Sequence, residues 1–231
     1  MLTFDGLKIR QGDFSLSADA RFSAGCIAAV MGASGAGKST LLGAVAGFSE
    51  VAEGSISWDG SVISDLPPGR RPVSILFQDN NLFPHLTVAQ NIALGVAGKT
   101  TAPAVVIAQA LDAVDLAGFE NRKPAQLSGG QQSRVGIARM LVSKRPVLLL
   151  DEPFAALGPA LKTEMLALTR RILADERGIT VLMVTHDPSD AQSCADTVAW
   201  IEDGRLTPPR PTAEVFADPP DGMKTYLGAM G

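Results

Sequence analysis

Residues 27–40 read Ile-Ala-Ala-Val-Met-Gly-Ala-Ser-Gly-Ala-Gly-Lys-Ser-Thr, and this stretch decides the fold. Ile27–Met31 is a short apolar run ending at a glycine, the pattern of a buried strand entering a loop. Gly32, Ala33, Ser34, Gly35, Ala36, Gly37, Lys38, Ser39 and Thr40 match G-x-x-x-x-G-K-[ST], a phosphate-binding loop. Its glycines let backbone N–H groups wrap an anion, Lys38 reaches the outer phosphates, and Ser39 offers a hydroxyl to Mg²⁺. A glycine-rich turn could match by accident. This one lies between a predicted strand and a predicted helix over 38–47, the context that the motif demands.

The rest of the chain extends the same alternation. Ser55–Trp58 and Val62-Ile63 flank Asp59-Gly60, a hairpin signal that Thr197–Ile201, Asp203-Gly204 and Arg205–Thr207 repeat near the end. Pro67–Arg71 reads as a loop and Val73–Phe77 as a strand. Helices are predicted over 88–95 with Thr87 as cap, over 104–116, and over 130–143. Val147–Leu150 is too short an apolar run for a typical helix and reads as a central parallel strand. Pro159 opens a helix through Arg177, with Leu161, Met165, Leu168 and Ile172 on one face, and Thr180–Thr185 is a further strand. Pro208–Pro220 reads as a peripheral tail. The pattern predicts an α/β core with a parallel sheet, a helical insert near 88–143 and an antiparallel N-terminal edge.

Leu127-Ser128-Gly129-Gly130-Gln131 is a second anion-binding candidate. Ser128 suits an N-cap, and the two glycines strip side chains from the first helical turn, leaving N–H groups open. A chain with a phosphate loop and a second bare helix start uses both on the same phosphates most simply if two copies exchange them.

Hydrophobic residues make up 46% and charged residues 19%, a globular composition, and the net charge of −4 argues against a nucleic-acid partner. Cys26 and Cys194 are far apart and lack metal-ligand spacing, which predicts reduced structural thiols. No segment approaches the roughly 20 apolar residues of a bilayer span. The first residues lack the pattern of a signal peptide. The expectation is a water-soluble intracellular chain whose link to a membrane runs through another protein.

Asp151 and Glu152 follow the predicted strand Val147–Leu150, and ligands of open α/β sheets sit at such carboxyl ends. Asp151 suits the Mg²⁺ shell, and Glu152 suits orienting or deprotonating an attacking water. His186 ends another strand in the same way and could hydrogen-bond a phosphate or that water. Gln78, just after Val73–Phe77, could touch the metal or a water, or be an ordinary polar loop residue. His85 reads as a surface loop residue.

These elements, in this order and over nearly the whole chain, resemble the ATP-binding subunit of an ABC transporter. The phosphate loop, Gln78, Leu127–Gln131, Asp151-Glu152 and His186 stand where that family has its Walker A, Q-loop, signature, Walker B and H-loop. The resemblance implies a P-loop NTPase core, an antiparallel N-terminal β subdomain and an inserted helical subdomain, in one nucleotide-binding domain over 1–231. It implies an ATPase with ATP and Mg²⁺, the metal being held by Ser39, Gln78 and Asp151, partly through water. Two ATP molecules would lie between two head-to-tail copies of the chain. Ser128, Gly129, Gly130 and Gln131 would then serve the ATP of the opposite protomer. It also implies an integral membrane permease as partner, at the cytoplasmic face of a bacterial inner membrane, and indirectly a periplasmic solute-binding protein.

Residues 67–74, 76–83 and 85–92 look more narrowly like the ATPase subunit of bacterial thiamine importers. Other readings are an importer of ferric iron or polyamines, or a non-transport relative acting in DNA repair or on ribosomes. The absence of sustained heptads between Lys38 and Ser128, and the single cassette, speak against the last. Three positions depart from the family pattern. Ala155-Ala156-Leu157-Gly158 stands for the usual Ser-Ala-Leu-Asp, and Gln132 replaces a basic residue, although Arg134 is kept. Leu7–Gly12 offers no aromatic to stack on adenine, which leaves Phe4 and Phe14 as candidates.

Overall fold

The computed structural model describes residues 1–77, 81–96, 101–175 and 178–228, apart from the side chains of 173–175. Leu2–Gln11 (β1) and Phe14–Phe22 (β2) form an antiparallel hairpin. Leu2 and Phe4, then Leu7 and Ile9, are buried, and the change of phase falls at a bulge where Gly6 has φ 53°. β3 (Ile27–Gly32) leads through the phosphate loop into α1 (Lys38–Ala46). β4 (Val51–Trp58) pairs with β1, and the Asp59-Gly60 turn, with φ 47° and 80°, returns it to β5 (Ser61–Val62). β6 (Val73–Leu76) precedes three helices, α2 (Val88–Ala93), α3 (Ala104–Ala113) and α4 (Gly129–Val142). Then come β7 (Val147–Asp151), α5 (Pro159–Asp175), β8 (Thr180–Val184), α6 (Pro188–Cys194), β9 (Thr197–Glu202) and β10 (Arg205–Leu206). β11 (Arg210–Pro211), α7 (Thr212–Ala217) and α8 (Asp221–Gly228) close the described chain.

The strands follow the order β5-β4-β1-β2-β10-β9-β3-β8-β7-β6, with β11 on β9. Neighbours from β9 to β6 are parallel. Those from β5 to β2 are antiparallel, and β10 joins the two halves by pairing with β2 and β9. Alternate residues of each central strand enter different cores. Val147 and Leu149 pack with α1 and the antiparallel strands, whereas Leu148 and Leu150 pack with the remaining helices. Burial on both faces is why these strands read as unbroken apolar runs. β3 lies between β8 and β9, which are consecutive in the chain, so the carboxyl end of β3 is a crevice of the sheet.

Helix ends follow local chemistry. Thr87 accepts from the Gln90 N–H while the Gln90 side chain accepts from the Thr87 N–H, a complete capping box. α3 stops three residues short of the predicted Leu116, and Asp115 turns the chain at φ 56°. Arg71 is buried within the predicted loop 67–71, where its guanidinium donates to Ala44 O (2.5 Å) and Val45 O (3.0 Å) at the end of α1. It also donates to Leu66 O and Ser64 O, and its bonds to Ala44 and Val45 set the cation at the negative end of the helix. Residues 176 and 177, the predicted end of α5, lie outside the described residues.

The Pro-rich stretch 208–220 is no peripheral tail. β11 pairs with β9, Val215 of α7 is buried, and the Thr212 hydroxyl donates to Ala195 O at 2.7 Å. Pro211 fits because β11 holds an edge, where a missing N–H costs little.

Candidate functional site

β3, β8 and β7 are adjacent and parallel, so the segments leaving their carboxyl ends meet on one edge of the sheet. The phosphate loop leaves β3, Asp151 ends β7 with Glu152 next to it, and His186 lies two residues beyond β8. Gln78, following the adjacent β6, lies outside the described residues.

Within the loop, Ala36 N–H donates to Ala33 O at 3.1 Å, and Gly37 takes φ 99° before α1 begins. A Cβ at position 37 would lie 2.3 Å from the Phe14 ring, so glycine is required twice over. Lys38 is buried and folds back over the loop, donating to Gly32 O (2.8 Å) and Ala33 O (2.9 Å). Burial holds its ammonium below the usual lysine range, against the opposing charges of Glu152 and Asp151. Ser39 Oγ donates to Asp151 Oδ1 at 3.1 Å. Burial raises the Asp151 carboxyl, and the Ser39 hydrogen bond works against that rise. A hydroxyl and a carboxylate oxygen at this separation are the hard donors that Mg²⁺ takes. The residues present therefore fit a metal-bound polyphosphate.

Glu152 is a non-glycine residue in the left-handed region, at φ 44°. Its N–H still donates to Val184 O at 3.1 Å, continuing the β7–β8 ladder, and the chain then turns away. Such backbone costs on the order of 1–3 kcal/mol and persists where the surroundings impose it. The turn brings Glu152 Oε2 to 3.0 Å from His186 Nδ1. The neighbours of His186 are held by an ionic knot. Lys162 of α5 lies 2.7 Å from Asp187 Oδ2 and 2.8 Å from Asp190 Oδ1, and Thr185 Oγ1 donates to Asp190 Oδ2 at 2.6 Å. Burial pushes the Asp187 carboxyl up, but hydrogen bonds from Lys162 and Ser189 outweigh it and bring it to about 2.

Ser128 caps α4 with a second capping box. Its Oγ accepts from Gln131 N–H (3.3 Å), and Gln131 Oε1 accepts from Ser128 N–H (3.0 Å). Gly130 packs under Leu161 of α5, where a Cβ would come within 2.6 Å of the leucine. Gln132, an odd residue by sequence, donates to Pro124 O (3.1 Å) and Leu127 O (3.4 Å) and so braces the turn that delivers Ser128. Among the described residues, no hydrogen bond joins this helix start to the phosphate loop of the same chain.

Two aromatic candidates separate cleanly. Phe4 is fully buried, edge-on to Phe22 at 5.4 Å, and can stack on nothing outside the core. Phe14 is half-buried at the β1–β2 turn with its ring against Gly37. Sequence reasoning missed Lys162 and Tyr226, whose hydroxyl donates to His186 O at 2.6 Å. Asp187 was readable, because Asp-Pro is a helix-start signal and Asp187 caps α6.

Gly158 is the cap position of α5, since its carbonyl accepts from Lys162 N–H at 3.0 Å. A Cβ there meets open space. Gly158→Asp should therefore stabilise the fold by up to about 1 kcal/mol through capping and the helix dipole. Thermal unfolding checks this: the midpoint is expected to rise by about 1–3 °C, and a fall would mean that the segment resists a side chain.

A family model described as ABC transporter matches residues 17–155. The chain is 57% identical to the thiamine import ATP-binding protein ThiQ of Cereibacter sphaeroides, a match covering 99% of this chain and 100% of that protein. Among solved structures it resembles an ATP-binding cassette seen as a dimer in a post-hydrolysis state with ADP and Pi. That likeness has a TM-score of 0.77 and 28% identity, over 92% of this chain and 99% of the other. A cassette of an ABC transporter in its ADP conformation matches with a TM-score of 0.87 over 99% and 98% of the two chains. Its 22% identity supports the fold alone.

Proposed function

This chain belongs to the ABC transporter family, and from that premise we propose that it is the ATP-hydrolysing subunit of an importer for thiamine or thiamine phosphates. The observation that carries the ATPase part is the meeting of five side chains on one sheet edge. Lys38 lies over the phosphate loop, Ser39 touches Asp151, and Glu152 touches His186. The loop N–H groups and Lys38 bind the phosphates, and Phe14 supports the adenine. Ser39 and Asp151 would hold Mg²⁺, with Gln78 as a further candidate ligand by sequence, and the metal would neutralise charge on the outer phosphates. Glu152 orients the attacking water and takes its proton, while His186 fixes the Glu152 carboxylate.

The bare start of α4 serves the ATP of a second copy arranged head to tail. The cassette seen as a dimer and the lack of any bond from Ser128 to its own phosphate loop both favour this reading. The membrane partner fits an open groove of about 760 Å³ lined by Phe48, Val73, Ile75, Leu94, Arg139 and Arg145. Phe48 is 62% exposed there, unusual for so large an apolar ring. Arg139, in the last turn of α4, donates to Asn81 O at 2.8 Å, so a helix pressed into the groove meets the helix whose opposite end carries Ser128. No described helix is long and apolar enough to cross a membrane, which suits attachment through a permease at the cytoplasmic face.

The thiamine reading is supported by the relatives' name and their full-length match. Its test is reconstitution with the membrane subunit in liposomes. Thiamine-loaded periplasmic binding protein is expected to stimulate ATP hydrolysis, and stimulation by ferric iron or polyamine binding proteins instead would sink the solute assignment.

A further inference from the structure

We propose that Tyr226, on α8, is a positioning residue for hydrolysis that holds His186 by its backbone. The inference rests on the reading of Glu152 and His186 as the hydrolytic pair. His186 lies beyond the last ladder residue of β8, so its carbonyl is free of the sheet. Tyr226 Oη donates to that carbonyl at 2.6 Å.

The hydroxyl is delivered by a firm support. Met223, one turn earlier on α8, is fully buried in the core of the helical face. The Tyr226 ring packs against Trp200 of β9, with centroids 5.5 Å apart, and Trp200 is itself 3% exposed. The residues flanking His186 are fixed by other partners: Thr185 by Asp190, and Asp187 by Lys162. In the peptide unit between His186 and Asp187, the Asp187 N–H donates to Thr185 Oγ1 at 3.0 Å, and Tyr226 anchors the opposite, carbonyl side. Loss of the carbonyl anchor leaves His186 held from one side only, so its backbone can shift and carry the imidazole away from its one 3.0 Å approach to Glu152. A helix at the far end of the chain is thereby built into the orientation of the hydrolytic pair.

Tyr226→Phe keeps the ring on Trp200 and removes only the O–H. In the full-length chain, kcat for ATP is expected to fall about fivefold, which is about 1 kcal/mol at 1.36 kcal/mol per tenfold. KM for ATP should not change, because the phosphate loop binds the nucleotide. A merely structural role would act alike whatever stands at position 186. The loss must therefore vanish when Tyr226→Phe is made on a His186→Ala background, measured by single-turnover hydrolysis. Unchanged kcat in Tyr226→Phe, a raised KM with kcat intact, or the same fivefold loss on the His186→Ala background would each overturn the inference. If His186→Ala alone hydrolyses ATP normally, the hydrolytic pair itself is misread. If His186→Ala is impaired while Tyr226→Phe is normal, only the role of Tyr226 fails. An unfolding midpoint for each variant within about 3 °C of the parent's separates these outcomes from loss of fold.

Discussion

Glu152→Gln is expected to slow ATP hydrolysis by about 10²–10⁴-fold while ATP still binds. The amide is isosteric with the carboxylate and can keep its place 3.0 Å from His186 Nδ1, so the geometry survives and the base is lost. The strained backbone at φ 44° is also unaffected, since the two residues share a Cβ and a chain length. Lys38, Ser39 and the loop glycines are untouched, so nucleotide affinity should stay near the parent's. A long-lived ATP-bound dimer is the expected species on a sizing column. Single-turnover hydrolysis checks the rate, and a normal rate would remove Glu152 from the role of general base.

The second large effect is expected from Ser128→Arg. Removing the hydroxyl that accepts from Gln131 N–H costs about 1 kcal/mol of helix capping, too little to unfold a chain of this size. The long cation, however, fills the bare helix start where a second copy's phosphates must approach. ATP binding to the single chain is expected to be normal and the ATP-dependent dimer absent. Retention of that dimer in light scattering would disprove the shared site. Ser128→Ala, which lacks the bulk, should weaken the dimer less.

The central strands and the site motifs were legible because each is local. Val147–Leu150 is apolar without alternation because both of its faces meet a core, and Lys38, Asp151, Glu152 and His186 follow directly on such runs. β1 was not read as a strand of its own. Its inward residues change phase at the Gly6 bulge, so Leu2 and Phe4 do not share a period with Leu7 and Ile9. The docked end of the chain was missed for a different reason. Thr212 and Val215 owe their placement to Ala195 and a distant core, and proline content alone suggested a tail. Among the site residues, Lys162 and Tyr226 carry no local signal, because their partners are 25 and 40 residues away. The choice of Phe14 over Phe4 needed burial, which two phenylalanines ten residues apart do not announce.

The short strand β10 has a consequence for how the chain is made. It is the only described strand that bonds to both β2 and β9, and Ser17 meets Gly204 across 187 residues of sequence. At ribosomal rates of about 5–20 residues per second, the β1–β2 hairpin waits roughly 10–40 s for its second neighbour to be synthesised. During that time one edge of β2 is open to any other nascent strand. Completion of the N-terminal sheet thus has to wait for residues 205 and 206, long after β1 and β2 have been made.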